Sequence, residues 1–349
     1  MARTLERRAL ECGADLVMEG GGVKGIGLAG AVITLSDAGY VFPRVGGTSA
    51  GAIVAALVAA YQTRDIPLAQ LQQDMSELRY DKFMDKSFIG RHFGPFGLAT
   101  DLVFSQGLYG TGYLDKWLHS KLDPLGIRTF GDLKITDDPE SSLPPQQRYR
   151  LVVHTSDLTR QCLARLPWDV PAYTLPEGQE PTLDMQIAAI DAYPIVDAVR
   201  ASMSIPFFFQ PFHQPTPQGR CTWVDGGMLQ NFPITVFNRS DGKKPRWPTF
   251  GVKLSSQPPE KAPDKEVFGD IHELVAIART ALGEWNRYAL DDDGVASRTV
   301  WVDTMQVQAT DFHIDPATQQ KLYDNGCAAA ETFLAEWNAV KAAQGGVSA

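Results

Sequence analysis

The chain has 349 residues, 44% hydrophobic and 10% aromatic, enough apolar side chains to bury a large core in one or two domains. Its 32 basic and 41 acidic residues leave a formal net charge of -9 with no long like-charge run, which argues against an electrostatic grip on nucleic acid or anionic lipid. The four cysteines, Cys12, Cys162, Cys221 and Cys327, have neither CxxC metal spacing nor the density of a disulfide scaffold, so a reducing, cytoplasmic setting is expected.

The charged opening MARTLERRALECGADL lacks the apolar h-region of a signal peptide and reads as a frayed or helical leader. No later apolar run approaches the roughly 20 residues of a membrane span. ADLVME is a strand, GGGVKG breaks it, and IGLAGAVITLSDAG is a helix closed by Gly39. A second such unit follows, with YVFPRVGG as strand, TSAG as a sharp turn and AIVAALVAAY as helix. A right-handed βαβα run predicts that the two strands are parallel neighbours.

The aromatic and glycine-rich stretch from Leu78 to Leu118 is less regular, with a helix expected over Tyr113 to His119, and is a candidate cap over a site. TDDPESSLPPQQRYR is a surface loop, followed by strands in YRLVVHTSD and RQCLARLP. The segment EGQEPTLDMQIAAIDAYPIVDAVRASMSIPFFFQPF reads as a helix ended before Pro206, then a run of phenylalanines. CTWVDGGMLQNFPITVF gives a strand, a glycine turn and a helix. TFGVKLS is a strand, DIHELVAIARTALGEWNRYAL a long amphipathic helix, TVWVDT a strand, and DPATQQKLYDNGCAAAETFLAEWNAV a closing helix capped by Asp315. Strands and helices alternate, so the class is α/β, arranged as one domain over residues 1–349 with no repeat or internal boundary.

Two glycine-rich turns stand close together. Gly20, Gly22 and Gly25 match GxGxxG between strand and helix, but a dinucleotide site wants an acid at the end of the next strand, which here ends in VGGTSAG. A P-loop needs Gly-Lys-Ser/Thr, whereas Lys24 precedes Gly25. What remains is a loop whose backbone N–H groups face a helix N-terminus, a site for negative charge. The second turn, Gly47-Thr48-Ser49-Ala50-Gly51, is the GxSxG pattern of a nucleophile elbow, with a helix-capping Ser49 as the plain alternative. If the two strands are adjacent and parallel, their ends lie about 5 Å apart and both turns open on one sheet edge.

A serine nucleophile needs a base. His272 or His313 would complete a Ser-His-Asp triad of the α/β-hydrolase kind, but neither sits in a glycine-flanked turn after a strand, and only one βα unit precedes the elbow. His92, His119, His154 and His213 read as ordinary core or surface histidines. Asp225 ends the apolar run CTWV before Gly226 and Gly227, so it should emerge at a strand's carboxyl edge; an Asp opening an ordinary turn is the alternative.

GGGVKG, GTSAG and DGG in this order, with ASMSIPFFFQP before the last, resemble the patatin-like phospholipase family, sharply over residues 15–61 and 199–237. The resemblance implies a three-layer α/β/α fold with a central, mostly parallel sheet, its catalytic motifs within about residues 15–240. It implies a Ser-Asp dyad of Ser49 as nucleophile and Asp225 as base. It assigns the oxyanion N–H groups to Gly21 and Gly22, with Val23 beside them and Lys24 at the loop's basic position. The implied substrate is a lipid acyl ester, with no metal or cofactor and with transient apolar contact to a membrane or micelle. Phe83, Met84, Phe88, Phe93 and Phe96 are candidates for the acyl-facing cap, while Phe207 to Phe209 read as core. A lipid-binding effector controlled by a partner or ligand is the rival of a different class.

Overall fold

A computed structural model describes residues 5–84, 107–255 apart from 137, 139, 140, 142, 179, 240 and 242, residue 280, and residues 293–345. Phe88, Phe93, Phe96, His92, His272 and all but one residue of the helix expected over 270–290 lie outside the described residues, as does the Met84 side chain.

Residues 5–63 fold as their pattern predicts: α1 (Leu5–Cys12), β1 (Asp15–Met18), α2 (Gly25–Asp37), β2 (Val45–Thr48) and α3 (Ala50–Thr63). Then come β3 (Gly107–Tyr109), β4 (Leu151–Asp157), β5 (Cys162–Leu166), β6 (Phe207–Phe209), β7 (Phe212–Thr216), β8 (Gly219–Asp225), β9 (Thr249–Lys253) and β10 (Thr299–Trp301). Among the described residues one eight-stranded sheet runs in the order β10, β9, β1, β2, β4, β8, β7, with β5 alongside β4, while β3 and β6 pair separately. Strands β10, β9, β1, β2 and β4 are parallel; β5, β7 and β8 run against their neighbours.

The sheet is buried on both faces. Along β1, Leu16 and Met18 enter one core with α2 and α3, while Val17 enters a second with Val152, Phe232, Ile234 and Phe237, the period of two that a pleated strand imposes. The layers are helix, mostly parallel sheet, helix. Helix α2 is apolar on nearly every face because the closing helix (Pro316–Gly345) covers it, and α3 because it is enclosed by β1, β2, β4, α2 and the helix Ile195–Ser202. That contact depends on glycine: a Cβ on Gly30 would lie 2.2 Å from Tyr323 O, and one on Gly326 2.1 Å from Gly27 O. Gly30→Ala is therefore expected to cost about 1–3 kcal/mol through overpacking. A denaturant midpoint equal to that of the wild type would show that the two helices do not pack this closely.

Some boundaries move. The single helix expected before Pro206 is two, Leu183–Ala192 and Ile195–Ser202, because Pro194 between them brings no N–H to continue the first. The helix after DGG is one turn, Gly227–Gln230, with Pro233 close behind. Asp315 caps the closing helix, its carboxylate accepting from the Thr318 N–H at 2.8 Å and hydroxyl at 2.9 Å. Phe209 and Phe83 are core, their rings meeting each other and Phe312, so Phe83 does not line an open cap. Among the described residues no helix is long and apolar enough to cross a membrane.

Candidate active site

Ser49 joins β2 to α3 at φ 53° and ψ -124°, a conformation that costs a non-glycine residue on the order of 1–3 kcal/mol. The flanking glycines are sterically required: a Cβ on Gly47 would lie 2.2 Å from Gly51 O, and one on Gly51 2.4 Å from Met18 O. The Ser49 N–H donates to Ser202 Oγ at 2.8 Å, and the hydroxyl points at Met203 Sδ, 3.5 Å away.

Strand pairing brings Asp225 to the same point. Residues 151–154 of β4 pair with β2, whereas residues 155–157, on the same edge because β5 occupies the other, pair with β8. Strand β2 stops at Thr48, opposite His154, and β8 arrives from the other direction to stop at Asp225, opposite Thr155. The two strands meet end to end, and the two turns that follow them face each other. Closeness again requires glycine, since a Cβ on Gly226 would lie 2.2 Å from His154 O and 3.0 Å from the Thr48 methyl.

The Asp225 carboxyl is fully buried. Its Oδ1 accepts from the Gly227 N–H at 2.7 Å, and its backbone N–H donates to Ser204 O at 2.9 Å. Burial pushes its pKa up to about 7, against the opposing pull of the Ser49 hydroxyl and the Gly227 N–H. Among the described residues Oδ2 has no partner in hydrogen-bonding geometry; the Ser49 hydroxyl is near enough to act on the carboxyl's pKa but is directed at Met203 Sδ.

The glycine loop lies against the serine: a Cβ on Gly20 would come within 3.0 Å of Ser49 Cβ. Gly22 has φ +56° and its α-carbon faces Ala309 O, leaving no space for a side chain. The Val23 N–H is taken by Ala309 O at 3.1 Å and the Lys24 N–H by Gly21 O at 3.2 Å. Among the described residues nothing accepts from the N–H of Gly21 or Gly22. Val23, grouped with the two glycines on sequence, thus offers no spare donor. Lys24 is half-buried rather than a solvated helix-start lysine, with its pKa lowered by burial and partly restored by Glu19.

Among the described residues no histidine side chain is bonded to Ser49 or Asp225. His154 is buried on β4 with its pKa lowered to about 4, chiefly by burial and then by Arg165, so it is held neutral. His119 is on the surface beside Asp123, His213 lies on β7 against Thr222, and His313 is exposed. Among the described residues no group of three or more His, Cys, Asp or Glu side chains is placed to hold a metal. Sequence reasoning missed Ser202, Met203 and Ser204, which touch both Ser49 and Asp225 from the end of helix Ile195–Ser202. Their only local signal is ASMSIP, small polar residues at a helix end.

The chain is 35% identical over 332 residues to the uncharacterized protein YqhO of Bacillus subtilis (strain 168), covering 93% of this chain and 98% of that one. Over 133 residues, 38% of this chain, it is 31% identical to lysophospholipase nte1 of Aspergillus niger, a match that spans 7% of the fungal protein. VipD from Legionella pneumophila has a similar fold, with a TM-score of 0.51 over 92% of this chain and 66% of VipD at 17% identity. A family model for patatin-like phospholipase matches residues 16–238, a span that holds the glycine loop, the Ser49 elbow and the Asp225 turn. On that match and on the site it encloses, this chain belongs to the patatin-like phospholipase family.

Proposed function

We propose that the protein is a serine acyl hydrolase that cleaves fatty acyl esters of phospholipids or lysophospholipids through a Ser49–Asp225 dyad. The observation that carries this reading is the end-to-end meeting of a strained, buried serine with a buried carboxyl whose pKa lies at about 7. Family membership supports the lipid ester as substrate class.

Rotation of the Ser49 hydroxyl from Met203 Sδ to Asp225 Oδ2, which has no other partner among the described residues, sets up general-base catalysis. The serine oxygen attacks the ester carbonyl as its proton passes to Asp225. The resulting oxyanion takes the Gly21 and Gly22 N–H groups, and the protonated Asp225 returns the proton to the departing alcohol. Water then attacks the acyl-enzyme with Asp225 again as base. An ordinary aspartate near pKa 3.9 is a weak base, so burial is what matches this one to neutral pH. An acidic surface leaves apolar side chains as the means of reaching a lipid aggregate in the cytoplasm.

The test is covalent labelling with a fluorophosphonate probe, mapped by peptide mass spectrometry, alongside mass spectrometry of products from mixed lipids. Labelling at Ser49 with release of fatty acid is expected. A folded protein that binds these lipids but neither labels nor releases acid would instead be a lipid-binding module. Lys24→Ala divides the loop's functions further. A fall in rate confined to phospholipids assigns the half-buried ammonium to the headgroup phosphate, and an equal fall on a neutral short-chain ester assigns it to the oxyanion loop. Unchanged rates on both would remove Lys24 from the site.

A further inference from the structure

Parallel pairing of β1 with β9 in the register Met18 opposite Val252 sets the next residues, Glu19 and Lys253, side by side. Both side chains are 7% exposed and form an ion pair. The Glu19 carboxylate also accepts from the Leu254 N–H at 2.6 Å and from Asn231 Nδ2 at 3.5 Å. Glu19 is the residue immediately before the glycine loop.

Asn231, itself buried, ties this pair to the loop. Its Nδ2 donates to Gly20 O and its own carbonyl accepts from the Gly20 N–H, both at 3.1 Å, so one residue holds both polar groups of Gly20. Its Oδ1 lies where a Gly20 Cβ would be, 2.3 Å from that position, on the flank that faces Ser49. Asn231 also ends the single helical turn that follows Asp225, Gly226 and Gly227. It is therefore the joint between the turn carrying Asp225 and the loop whose Gly21 and Gly22 N–H groups have no acceptor among the described residues.

Glycines have no side chains to lock their own backbone, and an N–H donor assists an oxyanion only if its direction is set before the charge develops. Gly21 and Gly22 need an external clamp, and the chain just before them is bonded to a buried network. We infer that Asn231 is a positioning residue that fixes the glycine loop relative to Ser49 and Asp225, with the Glu19–Lys253 pair as its anchor. This inference rests on the hydrolase reading.

The experiment uses a soluble butyrate ester and a fluorophosphonate probe, with every rate normalised to the number of sites that can be labelled, so that misfolded protein does not count. Asn231→Ala is expected to lower kcat by about 10²-fold, as for loss of an oxyanion donor, and to slow phosphonylation in parallel. KM should stay within about threefold, because ground-state binding of the ester is untouched. If Asn231→Ala does not fold, the isosteric Asn231→Asp decides, since it sets a carboxylate against Glu19 and the Gly20 carbonyl and should displace the loop to the same effect. A kcat per labelled site within about threefold of wild type in whichever variant folds would overturn the inference alone. Turnover that survives in Ser49→Ala would overturn both this inference and the hydrolase reading beneath it.

Discussion

Asp225→Asn is expected to give a protein that is nearly inactive and, above neutral pH, more stable than its parent. Loss of the general base should lower kcat by about 10²–10⁴-fold. Stability follows from the carboxyl's pKa, which is about 7 when folded against a model value of 3.8. As pH rises past the lower value the unfolded chain gives up the proton while the folded protein retains it, so folding is favoured less with each unit. At about 1.4 kcal/mol per unit over roughly three units, the native carboxylate forgoes up to about 4 kcal/mol by the time the pH passes 7. Asparagine does not ionise and removes this loss. Denaturant melts of the two proteins should agree near pH 4 and separate progressively up to pH 7, then stay separated. A difference that does not change with pH would mean that the Asp225 pKa is the same folded and unfolded, leaving an ordinary aspartate that is a weak base at neutral pH. In the parent protein the same titration predicts that kcat/KM falls as pH drops below about 7, tenfold per unit, as the base takes up its proton.

Ser49→Ala is expected to abolish ester turnover and probe labelling, with a loss of the order of 10⁶-fold, as when the nucleophile of a serine hydrolase is removed. Stability should be little changed. The Ser49 N–H bond to Ser202 Oγ does not depend on the side chain, and the hydroxyl's hydrogen bond to Met203 Sδ is weak. Alanine at φ 53° bears the same backbone strain as serine. Parallel measurement of turnover, labelling and melting separates chemistry from folding. A folded variant that keeps even a hundredth of the activity would move the nucleophile to another residue.

The elements around the site differ in how far they could be read in advance. Both βα units were legible because their signals are local: apolar runs of strand and helix length, and glycines that break them. So was the placing of Ser49 and Asp225 at strand ends, which needs only a few residues on either side. The motif places Lys24 at the loop's basic position but says nothing of its burial or of the charges of Lys253 and Asp311, which the fold brings to it from distant segments. The phenylalanines at 207–209 were read as core, and Phe209 is buried, but its partner Phe312 is a hundred residues further along and gave no sign of it.

The two glycine turns, the places where Ser49 and Asp225 leave their strands, and the shared edge of the first two turns are all legible in the chain, because each follows from short-range geometry and from adjacent parallel strands. Only the tertiary structure decided that β8 runs against β4 and meets β2 head to head. It also decided that Ser202, 153 residues beyond Ser49, accepts the elbow's N–H, and that Ala309 consumes the Val23 donor. These are pairings between segments whose own patterns are satisfied equally well by either strand direction and by many partners. They are selected when the whole sheet closes over its two cores and most buried backbone N–H groups find acceptors.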